Sequence, residues 1–350
     1  MKNYYDNGHP ELDSGSCHRD DCKIPGQARN DILKQKLYQM FILGTHGNGY
    51  KAALEAGFGG VIFFTHDIQS VEQFTSLVEE IRAQAKIPPF LSIDQEGGRV
   101  ERTENIHGGK KYLSAKYAFA KGEDFLHAQT KEIALELKSY GLNLNFAPCV
   151  DVNTNPNNPI IGERAFSDNP EAVIRAGKIV SQTYLESGII PCLKHYPGHG
   201  DANADSHLTL PKIDKSLEEM QPHLAPFVAA AKEAPMIMAA HLHCTCFDKD
   251  EIPTSLSKNA INYLRNEIGF EGVIISDDMK MCGAAVPDAA ERGIRAGLNM
   301  FIYRDSSPET IAIIENLAQK AESDPELHEN IERSYEKIMK LKHAMSLRGV

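Results

Sequence analysis

Residues 169–195 read NPEAVIRAGKIVSQTYLESGIIPCLKH. Apolar side chains fall at Val173, Ala176, Val180 and Tyr184, a spacing that lines one face of a helix. Asn169 is placed to cap its start, Pro170 suits the first turn, and Gly188 suits a left-handed stop. Directly after the stop, Ile189-Ile190-Pro191-Cys192-Leu193 is apolar without alternation, as in a parallel strand covered on both faces. The run ends on two polar residues, Lys194 and His195. A helix feeding a buried strand is therefore the local unit.

The unit recurs on both sides of this stretch. Comparable runs stand at 41–44 (FILG), 60–64 (GVIFF), 90–94 (FLSID) and 142–148 (LNLNFAP). Others follow at 236–241 (MIMAAH), 273–277 (VIISD) and 298–303 (LNMFIY), which with 189–195 makes eight. Residues 217–232, 258–268 and 284–296 read as further helices. Eight buried strands alternating with helices predict an α/β fold, a single closed (β/α)8 TIM-type barrel rather than an open doubly wound sheet. A length of 350 residues, 42% hydrophobic and 24% charged, suits one such domain. Residues 1–30 are polar and lack an apolar period, so a flexible or loosely packed extension is expected there. Residues 31–350 are expected to form the catalytic domain, ending in a helical tail over about 324–347.

The formal net charge of −11 disfavours nucleic acid and anionic membranes as partners. No stretch has the length to span a bilayer, and no apolar segment follows Met1-Lys2-Asn3 as a secretory signal would. The seven cysteines are scattered, and a cytoplasmic, monomeric protein is expected. Cys192 and Cys282, near strand ends, read as small buried apolar groups. The pairs Cys17/Cys22 and Cys244/Cys246 lack a second pair at zinc-site spacing, so no metal is expected. The stretch 44–49 (GTHGNG) lacks the Gly-Lys-Ser/Thr ending of a nucleotide loop and reads as a strand-to-helix turn.

In such barrels chemistry sits at the carboxyl ends of the strands. Polar residues collect there: Asp94, Asp151, Lys194 with His195, His241, and Asp277 with Asp278. One Asp after a strand is ordinarily a helix cap, but so many ends in register describe a site. After the fifth strand, 194–201 (KHYPGHGD) is a turn-rich loop, followed by Asp205-Ser206-His207. An Asp two residues before a His can set its tautomer and favour its protonated form, as in a general acid/base. Taken alone, the same pair also reads as an exposed polar loop.

Together these residues resemble glycoside hydrolase family 3, in its β-N-acetylglucosaminidase branch. The motifs are 94–100 (DQEGGRV) with Arg102, 161–166 (IGERAF), 194–201 with Asp205-Ser206-His207, and 272–279 (GVIISDDM). The similarity covers roughly 31–320. It implies that Asp277 is a nucleophile forming a covalent glycosyl-enzyme, a choice over Asp278 that periodicity leaves open. It implies His207 as general acid/base, oriented by Asp205. Asp94, Arg102, Arg164, Lys194 and His195 match positions that hold the sugar in the first subsite. Lys194 and Arg164 would also help keep Asp277 ionised.

The activity so implied is retaining hydrolysis of terminal non-reducing GlcNAc, β-1,4-linked to 1,6-anhydro-MurNAc with or without peptide, in peptidoglycan recycling. The partner is then a small carbohydrate, a muropeptide fragment, and no cofactor is implied. Transfer to phosphate instead of water would use the same residues and remains open. A metal-dependent barrel hydrolase built on His241, His243, Lys194, His195 and Asp277, or a non-catalytic sugar-binding barrel, are the readings from other classes. Tyr196, 105–118 and 241–246 depart from the family pattern, the last two on the leaving-group side.

Overall fold

The computed structural model describes residues 26–47, 49–108, 110–204 and 209–346. Eight parallel strands close into a barrel. They are β1 (Phe41–His46), β2 (Gly60–Phe63), β3 (Phe90–Ile93), β4 (Leu144–Asn145), β5 (Ile190–Tyr196), β6 (Met236–Ala239), β7 (Val273–Asp278) and β8 (Met300–Asp305). Each pairs with its sequence neighbours, and β8 returns to β1 in the register Phe41↔Phe301 and Ile42↔Ile302. Every residue of β2, β3 and β6 is buried, the pattern of strands sandwiched between barrel interior and outer helices. The expected α/β barrel is the one observed.

The helix Pro170–Ser187 has Asn169 Oδ1 accepting from Ala172 N at 3.1 Å, and Gly188 leaves it at φ +81°. Leu217–Ala230 opens with a reciprocal Ser216–Glu219 cap. The stretch expected as one helix over 284–296 is instead a short turn, Cys282–Ala284, and a helix limited to Ala289–Ala296. Pro287 accounts for the break, because a proline excludes the preceding residue from helical geometry. That turn also leaves Cys282 exposed, whereas Cys192 is buried. Pro325–Ser346 runs back under the barrel, burying Leu327, Ile331 and Ile338. It meets the first described helix, Gly26–Tyr38, where Lys36 pairs with Glu332 at 2.5 Å. At the opposite, carboxyl end, the short strands Lys212–Ile213 and His243–Cys244 pair above the barrel mouth.

Candidate active site

The carboxyl ends of β3, β5 and β7 bring charge together in the barrel mouth. Lys194, only 2% exposed, places Nζ 2.7 Å from Asp94 Oδ1 and 2.6 Å from Glu96 Oε1. Arg164 grips Glu96 with both arms, Nε to Oε2 at 2.9 Å and Nη2 to Oε1 at 2.8 Å. Burial works against ionisation of Glu96, yet Arg164 and Lys194 hold its carboxyl well below the usual carboxylate range. Lys194 is raised in turn, the two carboxylates outweighing its own burial. Asp94, Glu96, Lys194 and Arg164 thus make a charge-balanced square, with Asp94 the corner left partly open.

Backbone and neutral side chains hold that square in place. Gln95 N donates to Asn145 Oδ1 at 2.9 Å, and Asn145 Nδ2 donates to Gln95 O at 2.8 Å and Tyr184 Oη at 3.0 Å. Gln95 Oε1 accepts from Arg102 N at 2.7 Å, fixing the backbone that presents Arg102. The Arg102 guanidinium lies 6.0 Å from the centre of the Phe64 ring.

His195 is oriented from behind. Asp151, wholly buried, places Oδ2 2.7 Å from His195 Nδ1, and its Oδ1 accepts from His199 N at 2.6 Å. Cys149 Sγ donates to Oδ2 at 3.1 Å. Burial opposes the charge on Asp151, but His195, His199 and these donors hold its carboxyl well below the usual range. Arg164 Nη2 lies 3.3 Å from His195 Nε2, so the ring is fixed on both sides. The loop can lie this close because Gly198 sits at φ +122° and Gly200 has no Cβ, which would fall 1.9 Å from Val152 O. His199 is lowered to about 4, by burial first and then by the neighbouring His195.

Consecutive carboxylates at the end of β7 have opposite surroundings. Burial raises both, but Asp277 is lowered overall by His195, His241, the Asp278 N–H at 2.7 Å and Lys194. Asp278 is raised overall; it faces β8, pairing with Arg304 and accepting from Lys280 N at 3.1 Å. Asp277 is therefore the carboxylate directed at the site and kept ionised, and Arg164 is not among the main groups that keep it so. His241 is buried, its Nδ1 2.7 Å from Ser255 Oγ.

The structure thus gathers Asp94, Arg164, Lys194 and His195 into one network, with Asp277 facing its histidine and lysine. Arg102 borders it through Gln95. Asp205 and His207 lie outside the described residues. Glu96 and Asn145 are the members that sequence reasoning does not single out, and Asp151, counted there among the polar strand ends, gains its partner His195. Glu96 had one signal, its place two residues after Asp94 in the same motif. Among the described residues, Cys149, Asp151 and His195 bring three potential metal-ligating atoms within 4.8 Å of one another. Burial and Asp151 push the Cys149 thiol well above its ordinary range, and its Sγ donates to Asp151. An ionised, partly open carboxylate beside fixed charged donors is equipped to attack an electrophilic carbon on a polyhydroxylated ligand.

A family model described as the glycosyl hydrolase family 3 N terminal domain matches residues 32–341. A beta-hexosaminidase of Tolumonas auensis is 34% identical over 278 residues, covering 76% of this chain and 82% of that protein. Beta-hexosaminidase A of Pseudoalteromonas piscicida is 36% identical over 248 residues, which is 64% of this chain but 41% of that longer protein. Among solved structures, a family 3 β-N-acetylglucosaminidase from Paenibacillus sp. str. FPU-7 superimposes with a TM-score of 0.84 at 30% identity, over 90% of this chain and 63% of that one. A β-N-acetylhexosaminidase from Beutenbergia cavernae gives 0.82 at 25% identity, over 89% and 98%.

Proposed function

This chain belongs to glycosyl hydrolase family 3, and from that premise we propose that it is a retaining exo-β-N-acetylglucosaminidase with Asp277 as nucleophile. The observation that carries the reading is the pairing of Asp278 with Arg304 at the end of β7, which leaves Asp277, whose ionised form His195, His241 and Lys194 favour, as the carboxylate for the sugar. The beta-hexosaminidase names of the relatives point to the same bond.

In this reading Asp94, Arg102, Arg164, Lys194 and His195 hold a terminal GlcNAc so that its anomeric carbon faces Asp277. The carboxylate forms a bond to that carbon as the glycosidic C–O bond breaks, and His207, oriented by Asp205, protonates the leaving oxygen. The neutral imidazole then takes a proton from water, whose oxygen displaces Asp277 with overall retention. The substrate is GlcNAc β-1,4-linked to 1,6-anhydro-MurNAc, with or without its peptide, and the setting is cytoplasmic peptidoglycan recycling by a monomer.

The test is release of p-nitrophenol from its N-acetyl-β-D-glucosaminide, with excess EDTA and no phosphate, followed by NMR of the first-formed sugar anomer. Steady turnover yielding the β-anomer first is expected. Turnover only after phosphate is added would replace hydrolysis by phosphorolysis, and α-anomer first would remove the covalent step.

A further inference from the structure

Two thiols touch one another outside the reacting cluster. Cys244 and Cys246 place their Sγ atoms 3.4 Å apart. Cys244 ends the short strand His243–Cys244, after which the chain turns, with Phe247 N donating to Cys244 O at 3.1 Å. Such a turn brings its ends within about 7 Å and folds Cys246 back toward Cys244. Cys244 is buried and Cys246 half-buried. Their contact holds the Cys246 thiol below the ordinary thiol range, and together with burial pushes Cys244 above it. A half-buried thiol in contact with a buried one is the arrangement of an attacking and a resolving cysteine.

We propose that Cys244 and Cys246 form a reversible oxidation site, closed to a disulfide by low-molecular-weight disulfides, and that closure lowers turnover. The Cys246 thiolate attacks one sulfur of the small disulfide, forming a mixed disulfide and releasing one small thiolate. Cys244, losing its proton, then attacks the Cys246 sulfur and releases the second small thiol. The protein pair loses two electrons and two protons, and the small disulfide becomes two thiols.

Closure reaches the site through described residues. A disulfide bond is about 2.05 Å long, so the sulfurs must approach by about 1.4 Å and the turn must adjust. Phe247, in the same turn, packs its ring 6.5 Å from that of Tyr196, which directly follows His195 in β5. The turn also anchors the chain after the fifth strand, His243 N donating to Pro211 O at 2.8 Å and Thr245 N to Ile213 O at 3.1 Å.

The full chain is incubated with excess oxidised glutathione, then alkylated, digested and mapped by mass, with glucosaminide turnover followed in parallel. The peptide carrying both cysteines is expected to lose two hydrogens and escape alkylation, while turnover falls several-fold and returns with dithiothreitol. Cys246→Ser should show neither change. Absence of the cross-link from that peptide, or equal loss of turnover in Cys246→Ser, would overturn the proposal. A cross-link that left turnover unchanged would overturn the coupling. That half rests on the glycosidase reading; a protein turning over no glucosaminide fails that reading, while mass mapping still decides the cross-link.

Discussion

Lys194, at the carboxyl end of β5, lies between Asp94 and Glu96, whereas Lys342, at the amino ends of β1 to β3, bonds no carboxylate among the described residues. Lys342 Nζ donates to Gln39 Oε1 at 2.7 Å and Gly59 O at 2.9 Å, and lies 4.8 Å from the centre of the Phe90 ring. The consequences are opposite in sign. Carboxylates raise Lys194, while burial lowers Lys342 to about 7. At one end of the barrel Lys194, Arg164 and Glu96 meet countercharges and keep their charge; the other end surrounds a half-buried amine with neutral dipoles and favours its release of a proton. The first arrangement suits a polar substrate and an ionised nucleophile, and the second closes the base of the fold.

The strongest way to break this contrast is to remove Asp277, the carboxylate assigned as nucleophile. Asp277→Ala should lower kcat by about ten-thousand-fold or more, since a reacting group has no substitute. Its thermal melt should stay near that of the wild type. Retention of a tenth of the activity would remove Asp277 from the chemistry.

Next comes the countercharge itself. Glu96→Gln leaves Lys194 and Arg164 short of a partner, and should destabilise the fold by about 3 kcal/mol in urea melts at pH 7. Because the Glu96 pKa is depressed on folding, its contribution is present above the unfolded carboxyl value near 4.3 and lost as pH falls below it. A variant as stable as the wild type at pH 7 would show that Arg164 and Lys194 are compensated elsewhere.

How these partners were missed is instructive. The eight strands were legible because each is a run buried on both faces, and the helix Pro170–Ser187 because Asn169, Pro170 and Gly188 mark its ends. The site was legible as far as strand ends go: Asp94, Lys194, His195 and Asp277 all stand there. Which of them bond was not, since Glu96 meets Arg164 across 68 residues and Asp151 meets His195 across 44. Arg164 and Lys194 also bond Glu96, a contact that no spacing in the sequence announces. Asp277 and Asp278 are adjacent in one strand, so periodicity cannot tell them apart, whereas their neighbours do.

Asp151→Asn sharpens the comparison at the charged end. The amide keeps the shape but loses the charge against His195, and kcat should fall roughly a hundredfold, with a shifted pH profile and KM little changed. A rise in KM alone would mean that Asp151 serves only to bind.

The smallest effect belongs to the other end. Between pH 7 and 10 the unfolded chain keeps the Lys342 proton that the folded protein releases, so stability rises with pH there. Relative to Lys342→Met, the wild type should gain about 1 kcal/mol from pH 6 to pH 9.5, discounted because the side chain is partly exposed. Lys194 has the opposite sign: its contribution is full below the unfolded value near 10.4, so the gap to Lys194→Met should stay level over that range. Equal slopes for the two variants would erase the contrast between the ends.

The nucleophile can be caught in place. Incubation with a fluorinated N-acetylglucosaminyl fluoride, which forms the covalent intermediate faster than it is hydrolysed, should raise the intact mass by one fluorinated sugar. Peptide mapping should then place that sugar on Asp277. A label on Asp278, or no label from a reagent that the protein nonetheless turns over, would contradict the assignment of Asp277 as the attacking group.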